Sequence, residues 1–529
     1  MRDFQLPGRS TVHACNGMAA TSHPLATLAA INVLQDGGNA VDAAVTASAV
    51  LCAVEAKSTG IGGDCFILYV PGGQGKVIGL NGSGRAPEKS GAEWFVERNI
   101  KKIDPRSPHS VTIPGAIHAW DRILQDYGTR DLGYCLRPAI EYCEQGTPVS
   151  PRTASDWSGL VDLLRIDPTA RRIFLPGGKP PTVGDIHRQP ELANTMRKIA
   201  KSGADAFYKG PVAKEIVTYL RKLGGLHTLD DFANHRTDYV APIKTQYRGH
   251  NVFQIPPNGQ GLTALIMLNI MAGYDIASLD PSGAKRFHIE AEAARIAYQA
   301  RDAFIADPQH SNVPVRKLLS KTFADIQRRR IRPRSIITDI EEGEALPHST
   351  TVYLNVVDRD LNTISFINST FLSFGSGLIS PNTGVVLQNR GAGFVVDPSH
   401  PNCIAPSKRP LHTIIPGMVM KGHRAVMPYG VMGAQYQPTG HAHVVSNVLD
   451  YGMDVQEALD CPRGFYYDGR LQVERSVSRD TVHKLRKIGH KVIEPPLPLG
   501  GGQAIWIDWK RGTLIGGSEP RKDGCALGY

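Results

Sequence analysis

The apolar and polar positions of the first seventy residues predict two helices followed by a strand. Residues 25–34 carry apolar side chains at helical spacing, and the Ser22-x-Pro24 segment before them is typical of a capped helix start. A second helix is predicted from about residue 40 to residue 54. Residues 65–70 are apolar without interruption and lead into a Pro-Gly-Gly turn, which is typical of a buried strand.

The middle of the chain alternates between long helical stretches and short extended ones. Residues 115–235 show mainly helical periodicity, residues 245–255 read as strand, and residues 280–330 are helical again. Residues 336–349 are rich in Glu and follow neither period, so they predict an exposed loop that connects to the last third of the chain.

That last third opens with a predicted β-hairpin. Residues 351–357 are dense in β-branched side chains, residues 358–362 have turn composition, and residues 363–367 form the expected partner strand. One helix is predicted after Gly440. Together with three further predicted strands at residues 385–388, 417–421 and 504–509, this pattern favours helices outside stacked sheets, which is an α/β sandwich.

Composition narrows the class of protein. The chain has 529 residues, of which 41% are hydrophobic, so it can bury a large core. The first seven residues lack the apolar centre of a signal peptide, and no run is long enough for a bilayer. Its eight cysteines include no Cys-x-x-Cys pair, which indicates reduced residues. We therefore expect a soluble, cytoplasmic protein without a membrane partner.

Cofactor and nucleic-acid sites are not indicated. The net charge of +10 is partly concentrated in the Arg-rich run 328–334, but no aromatic residues are interleaved with these arginines, so a nucleic-acid partner is not expected. The glycine-rich segment 72–77 lacks the Ser or Thr of a phosphate-binding loop. The pair His441 and His443 has no accompanying carboxylate cluster. No metal ion or cofactor is therefore predicted.

A resemblance to a known enzyme family suggests a chemical role for the start of the hairpin at residue 351. The segment Thr350-Thr351-Val352-Tyr353-Leu354-Asn355-Val356-Val357-Asp358 resembles the maturation site of γ-glutamyltransferases (glutathione hydrolases). In that family, a threonine that opens a Val-Val-Asp strand is both the cleavage point and the nucleophile. Other segments resemble family motifs in the family's order, and they extend the match over essentially the whole chain: residues 60–64, 81–87, 374–377, 405–410 and 460–463.

The resemblance implies an N-terminal-nucleophile (Ntn) hydrolase with a four-layer αββα sandwich. It implies self-cleavage between Thr350 and Thr351, which would give a large subunit of residues 1–350 and a small subunit of residues 351–529. These two fragments would remain together as a heterodimer that forms one composite domain. Whether the heterodimer assembles into a higher homo-oligomer is left open.

The chemistry fits a threonine at a new N-terminus. A threonine hydroxyl needs a base, and a free α-amine with a pKa of about 7.7–8.0 can accept its proton. Thr351 is thus the expected nucleophile, and Ser369 falls where the family has a second threonine that bonds the nucleophile's amine. Gly433 and Ala434 occupy the positions of the family's glycine pair, whose backbone amides would stabilise the oxyanion.

Substrate-binding positions depart from the family pattern. Ser83 stands where the family has an Arg for the glutamyl α-carboxylate, Gly393 stands where it has an acid for the α-amine, and Phe371 replaces an Asn. His412 and Thr413 replace paired serines on the carboxylate side. Two arginines remain that could grip a carboxylate or form structural ion pairs, Arg85 and Arg390.

Three functions remain open from the sequence. The first is an autoprocessing N-terminal-threonine amidohydrolase or acyltransferase that cleaves γ-glutamyl-type amides, as in glutathione. The second is an acylase for glutaryl or other small dicarboxylic amides, of the cephalosporin acylase or oxamate hydrolase type. The third belongs to another class, an unprocessed and catalytically silent binding protein.

Overall fold

Two stacked antiparallel sheets carry most of the strands in the computed structural model, which describes residues 8–340 and 351–529. The strands, in chain order, are β1 (Val12–Ala14), β2 (Met18–Thr21), β3 (Asp64–Val70), β4 (Ile78–Gly82), β5 (Thr147–Pro148), β6 (Ile186–His187), β7 (Asp238–Val240), β8 (Ile243–Tyr247), β9 (His250–Gln254), β10 (Val352–Val357), β11 (Thr363–Ser369), β12 (Gly417–Lys421), β13 (Arg424–Met432), β14 (Gly464–Tyr467), β15 (Arg470–Val473), β16 (Val492–Ile493), β17 (Gly501–Asp508), β18 (Thr513–Ser518) and β19 (Cys525–Gly528).

Helices connect and cover these strands. They are α1 (Pro24–Gln35), α2 (Ala40–Val54), α3 (Ala92–Val96), α4 (Ala116–Tyr127), α5 (Leu132–Gln145), α6 (Pro151–Ser158), α7 (Val161–Ile166), α8 (Pro168–Phe174), α9 (Pro190–Ser202), α10 (Asp205–Tyr208), α11 (Pro211–Lys222), α12 (Leu229–Ala233), α13 (Gly261–Met271), α14 (Ala284–Phe304), α15 (Val315–Leu318), α16 (Lys321–Arg328), α17 (Gln437–Leu449), α18 (Val455–Asp460) and α19 (Arg479–Ile488). Within the described residues, no helix is both long enough and apolar enough to cross a lipid bilayer.

Each of the two large sheets has seven strands within the described part of the chain. The first has the order β1-β18-β17-β13-β12-β9-β8, and the second has the order β19-β2-β10-β11-β3-β4-β7. Residues before and after the predicted cut contribute to both sheets. In the second sheet, β10 pairs with β2 on one side and with β11 on the other, and β11 pairs with β3. The predicted large and small subunits are therefore interleaved strand by strand.

Three apolar cores separate four layers. Strand β10 illustrates the arrangement, because Val352, Leu354 and Val356 face one core while Tyr353 and Val357 face another. The first core lies between the second sheet and helices that include α1, α2, α4 and α5. The core on the other side of β10 lies between the two sheets, and the third packs α13, α14 and α17 against the first sheet. This is the predicted four-layer αββα sandwich of the Ntn hydrolases.

Most predicted elements are present, and some details differ. The one helix predicted after Gly440 begins at Gln437, and two more helices follow it, α18 and α19. Helix α1 is capped by His23 rather than Ser22, because the His23 ring accepts from the Leu25 amide while the Ser22 hydroxyl donates to Glu55. Residues 245–255 form part of the hairpin β8–β9 rather than one strand. Residues 385–388 form only an isolated bridge, Ile379 to Val386.

Some predictions concern residues that the structure does not describe. Thr350, the expected residue before the cut, lies outside the described residues, as do residues 341–349 of the predicted loop and residues 1–7. Of the described end of that loop, Ile337 is buried rather than exposed, and its amide donates to Glu292 at 2.7 Å. The loop is thus anchored to α14 before it reaches the undescribed segment.

Candidate functional site

The predicted nucleophile lies at the open end of the β10–β11 hairpin. Pairing of Val352 with Asn368 places Thr351 opposite Ser369, the last residue of β11. The two hydroxyl oxygens are 3.1 Å apart, and both side chains are almost fully buried. Ser369 Oγ also accepts a 2.9 Å hydrogen bond from the Phe371 amide. The hairpin therefore holds Thr351 and Ser369 together in a site shielded from bulk water.

A buried arginine adjoins this hydroxyl pair. Arg390, in a short 3₁₀ turn, is fully buried, and its Nη1 donates to Thr413 Oγ1 at 2.7 Å. Its Nη2 lies 3.5 Å from Ser369 Oγ, and its guanidinium carbon is 4.2 Å from the centre of the Phe371 ring. The structure therefore brings together Thr351, Ser369, Phe371, Arg390 and Thr413, which we call the nucleophile cluster.

The charge of Arg390 is poorly compensated. Its Nε is buried and has no hydrogen-bond partner among the described residues, and no described carboxylate forms an ion pair with it. Burial lowers the pKa of Arg390 to about 9, although the Asp64 carboxylate acts in the opposite direction. A buried cation without an anion is costly, so an incoming carboxylate would be stabilised here.

The predicted oxyanion residues form a strained turn after β13. Gly433 has φ 118° and Ala434 has φ 46°, so both lie in the left-handed region. A Cβ on Gly433 would lie 2.8 Å from Gly500 Cα, which excludes a side chain there. Neither amide nitrogen donates a hydrogen bond within the described residues. The Gly433–Ala434 turn thus keeps two donors uncommitted, as an oxyanion hole requires.

Gln260 joins this turn to the nucleophile cluster. Its side-chain nitrogen donates to the Ala434 carbonyl at 2.9 Å and to the Thr413 carbonyl at 2.7 Å. Thr413 in turn holds Arg390, which lies beside Ser369. No sequence signal points to Gln260, because it is a single polar residue that follows the turn-like pair Asn258-Gly259.

His412 and Asp64 form a supporting network rather than a substrate contact. His412 Nε2 bonds Asp64 Oδ2 at 2.9 Å, and its Nδ1 accepts from the Ile414 amide at 3.4 Å. Burial lowers the pKa of His412 to about 4, and nearby Arg390 adds to this effect. Since both ring nitrogens are occupied, His412 is not placed to bind substrate. Asp64 could have been suspected, because it ends the glycine run of residues 60–63.

Arg85 lies outside the nucleophile cluster. Its guanidinium is 3.4 Å from Asp238 and 3.7 Å from Asp307, and it also donates to the Ser407 carbonyl at 3.1 Å. None of its contacts within the described residues is with the cluster. Arg85 has two interpretations, a residue that binds the substrate carboxylate or a member of a structural ion pair, and the structure supports the ion pair.

Comparisons with known proteins agree with this architecture. The family model described as gamma-glutamyltranspeptidase matches residues 26–529. A glutathione hydrolase-like proenzyme of Bacillus subtilis (strain 168) is 37% identical over 525 aligned positions, and the match covers 97% of this chain and 98% of that protein. An oxamate amidohydrolase proenzyme of Klebsiella pneumoniae subsp. pneumoniae is 33% identical over 537 aligned positions, and the match covers 97% of this chain and 98% of the relative.

A solved structure extends the match to three dimensions. The crystal structure of a cephalosporin acylase from Bacillus halodurans superposes on this protein with a TM-score of 0.93 and 38% sequence identity. The match covers 100% of this chain and 99% of the acylase chain. These likenesses span the sheets, the helices and the strand that begins after Thr351. The resemblance drawn from the sequence is thereby confirmed, and the chain belongs to the gamma-glutamyltranspeptidase family of Ntn hydrolases.

Proposed function

We propose that the mature protein is an N-terminal-threonine amidohydrolase for amides of short dicarboxylic acids, with Arg390 binding the far carboxylate of the acyl group. The observation that supports this most is the buried Arg390 guanidinium, which lies beside Ser369, the hydroxyl partner of Thr351, and whose Nε has no hydrogen-bond partner among the described residues. Such an arrangement favours a substrate that carries its own anion to the site.

Maturation precedes catalysis in this proposal. The Thr351 hydroxyl attacks the carbonyl of Thr350, the peptide C–N bond breaks, and an ester forms while the nitrogen becomes a free amine. Water then hydrolyses the ester, which restores the hydroxyl and leaves a carboxylate on residue 350. The products are the fragments 1–350 and 351–529, which stay together as a heterodimer because their strands share both large sheets.

The same hydroxyl then cleaves substrate. The α-amine of Thr351 takes the hydroxyl proton as the oxygen attacks the amide carbonyl, and the Gly433–Ala434 amides stabilise the resulting oxyanion. The amine product leaves with a proton, and water hydrolyses the acyl-threonine ester. If an amino acid replaced water as the acceptor, the same residues would perform transfer.

Specificity follows from the Nε edge of Arg390. Thr413 accepts from Nη1, Ser369 Oγ lies 3.5 Å from Nη2, and Phe371 covers one face of the guanidinium, so Nε is the nitrogen without a hydrogen-bond partner among the described residues. A carboxylate fits that edge with two parallel hydrogen bonds. Because Nη2 is close to Ser369 Oγ, a carboxylate bound by Arg390 would be separated by only a short carbon chain from the carbonyl that Thr351 attacks.

Cleavage of γ-glutamyl amides, including glutathione, is the second candidate. The family match and the glutathione hydrolase-like relative favour it. Against it, Gly393 and Phe371 occupy the family positions that would bind an α-amine, and neither has a charged or hydrogen-bonding side chain. An α-ammonium entering this site would lose its hydration without replacement bonds.

The test compares two substrates with matched acyl groups and two variants that each replace one arginine. Specificity constants are measured for glutaryl and pentanoyl 4-nitroanilides. The glutaryl chain ends in a carboxylate, and the pentanoyl chain ends in a methyl group. We expect the wild type to prefer the glutaryl compound. Loss of charged hydrogen bonds costs about 1.5–3 kcal/mol, so Arg390→Met should reduce that preference about 10- to 150-fold, whereas Arg85→Met should retain it.

Other results would contradict the proposal. A γ-glutamyl anilide preferred tenfold or more over the glutaryl compound would assign the protein to glutathione-type substrates. If the Arg390→Met variant folded, was processed and still preferred the glutaryl compound, Arg390 would not be the residue that binds the acyl carboxylate. A wild type that stays a single uncut band on prolonged incubation would favour the silent binding protein.

A further inference from the structure

A buried glutamine bonds both loops that carry the predicted substrate contacts. Gln260 is fully buried, and its Nε2 donates to the Ala434 carbonyl at 2.9 Å and to the Thr413 carbonyl at 2.7 Å. The Thr413 hydroxyl accepts from Arg390 at 2.7 Å, and Ala434 belongs to the Gly433–Ala434 turn. The Gln260 amide therefore connects the arginine proposed to bind the acyl carboxylate with the turn predicted to bind the oxyanion.

The orientation of this amide is fixed by its partners. Carbonyl oxygens only accept hydrogen bonds, so the nitrogen of the Gln260 side chain has to face the two carbonyls. Its Oε1 faces Arg301 Nη1 at 3.2 Å, and an arginine only donates. Arg301 is a buried residue of α14, and its Nε lies 2.6 Å from Asp302 Oδ1, so its charge has a carboxylate partner. Rotation of the Gln260 amide would thus break three hydrogen bonds at once.

Further hydrogen bonds hold the same two loops. The Gln260 backbone amide donates to the His412 carbonyl at 2.9 Å, directly before Thr413 in the chain. Arg301 Nη1 also donates to Gln435 Oε1, directly after the Gly433–Ala434 turn. Both loops are therefore tied to one helix, α14, and their separation depends on a small set of buried polar side chains.

We propose that Gln260 is a positioning residue that selects the length of the dicarboxylic acyl chain, because it fixes the separation between Arg390 and the Gly433–Ala434 turn. This inference rests on the proposed function, which assigns the far carboxylate to Arg390. An acyl chain of matching length places its carboxylate on Arg390 while its carbonyl oxygen reaches the amides of the turn. A chain that is one methylene shorter or longer satisfies only one of these two ends.

Three anilides that differ only in acyl length test the inference by kinetics: succinyl, glutaryl and adipoyl 4-nitroanilide. A site that recognises length discriminates against one methylene by about 10- to 200-fold in kcat/KM, and we expect such a preference for one of the three in the wild type. Gln260→Met keeps the length of the side chain but removes both donors, so it should reduce this preference to about threefold or less.

Gln456→Met is the matched control. Gln456 is also buried, and its Nε2 donates to Asp460 Oδ1 at 2.8 Å and to the Ser518 carbonyl at 2.9 Å, away from Arg390 and Thr413. Its replacement removes the same kind of buried amide, so the length preference should stay unchanged. A purely structural role of Gln260 would lower the three specificity constants together and would leave their ratios unchanged.

A second variant separates loss of the two donors from loss of folding. Gln260→Glu keeps the shape of the side chain and an acceptor for Arg301, but its carboxylate cannot donate to the Thr413 and Ala434 carbonyls. The Ala434 carbonyl also keeps the Gln437 amide as a donor, so the turn retains one of its own hydrogen bonds. We expect Gln260→Glu to reduce the length preference as Gln260→Met does.

Free dicarboxylates separate this inference from the proposed function. Succinate, glutarate and adipate each carry one carboxylate for Arg390 and a second one for the amides of the Gly433–Ala434 turn. Their dissociation constants, measured by titration calorimetry without turnover, should show a length preference in the wild type that is reduced in Gln260→Met. If this binding result held but none of the three anilides was hydrolysed, the proposed function alone would be wrong. Wild-type binding without a length preference, or a preference that Gln260→Met left unchanged, would overturn the inference.

Discussion

The hydroxyl of Thr351 performs two reactions in the proposed mechanism, and a single substitution should abolish both. Thr351→Ala removes the attacking oxygen, so we expect one uncut chain without amidase activity. Intact-mass spectrometry and gel electrophoresis would check the cut, and anilide hydrolysis would check the activity. Thr351→Ser is the matched control, because it retains a hydroxyl at the same place and should still be processed, more slowly.

Cleavage of the Thr351→Ala chain between residues 350 and 351 would contradict this mechanism. So would wild-type turnover by that variant, since another side chain would then have to be the nucleophile. Thermal unfolding of both variants should resemble that of the wild type, because within the described residues the Thr351 hydroxyl contacts Ser369 alone, and Thr351→Ser keeps that hydroxyl.

At the level of single residues, some of the predicted site residues lie together in the structure and others bond elsewhere. Thr351, Ser369, Arg390 and Thr413 were predicted and converge in space. Arg85 and His412 were predicted beside them but are occupied by carboxylates. Residue type shows what a side chain can bind, whereas the fold determines which partner lies within bonding distance of it. That is also why Gln260, which links two loops, could not be predicted.

Elements with strong periodicity were the most predictable ones. Helix α2 has the predicted bounds, and the register of β10 and β11 follows from the turn composition of residues 358–362. The segment 385–388 was predicted wrongly as a strand, because its apolar side chains pack without a neighbouring strand to pair along its length. Apolar character alone therefore does not distinguish a strand from a buried irregular segment.

The turn between β13 and α17 gives a prediction at the level of an element. Gly433→Ala would force a Cβ to 2.8 Å from Gly500 Cα at a φ of 118°, so the turn must move. Displacing one oxyanion donor costs about 100- to 1000-fold in kcat. Steady-state kinetics on the fully processed variant would measure this loss.

Gly422→Ala is the control for backbone strain. Gly422 has φ 61° in the turn between β12 and β13, and a Cβ there would meet nothing within 4 Å. We expect a loss of about 1–2 kcal/mol in the free energy of unfolding and no change in kcat. If Gly433→Ala retained wild-type kcat, the Gly433–Ala434 turn would not bind the oxyanion.

On the scale of the whole molecule, buried histidines predict sensitivity to acid. Burial lowers the pKa values of several histidines from 6.5 to about 4 or about 3: His23, His187, His227, His412, His441 and His490. Between pH 6.5 and those values, the unfolded chain binds protons that the native protein excludes. Stability therefore falls with decreasing pH, by up to about 1.4 kcal/mol per pH unit for each histidine.

Glu55 acts in the opposite direction, because burial raises its pKa to about 7 and the native state binds a proton first. Its single contribution does not cancel those of the histidines. We expect the thermal midpoint to fall steeply from pH 6.5 to pH 5. His187→Phe should make that fall shallower, since His187 already packs among Trp157 and Phe174. A midpoint independent of pH would contradict this account.

Interleaving of the two predicted subunits determines how the cut molecule would respond to dilution. Strand β10 lies between β2 and β11, so the fragment 351–529 is inserted into a sheet whose other strands include β2, β3, β4 and β7. The fragments could part only by breaking complete strand ladders, which is unfolding rather than dissociation. The two-chain protein would therefore show no concentration-dependent loss of activity, and fragments that were mixed after separate refolding would seldom restore it.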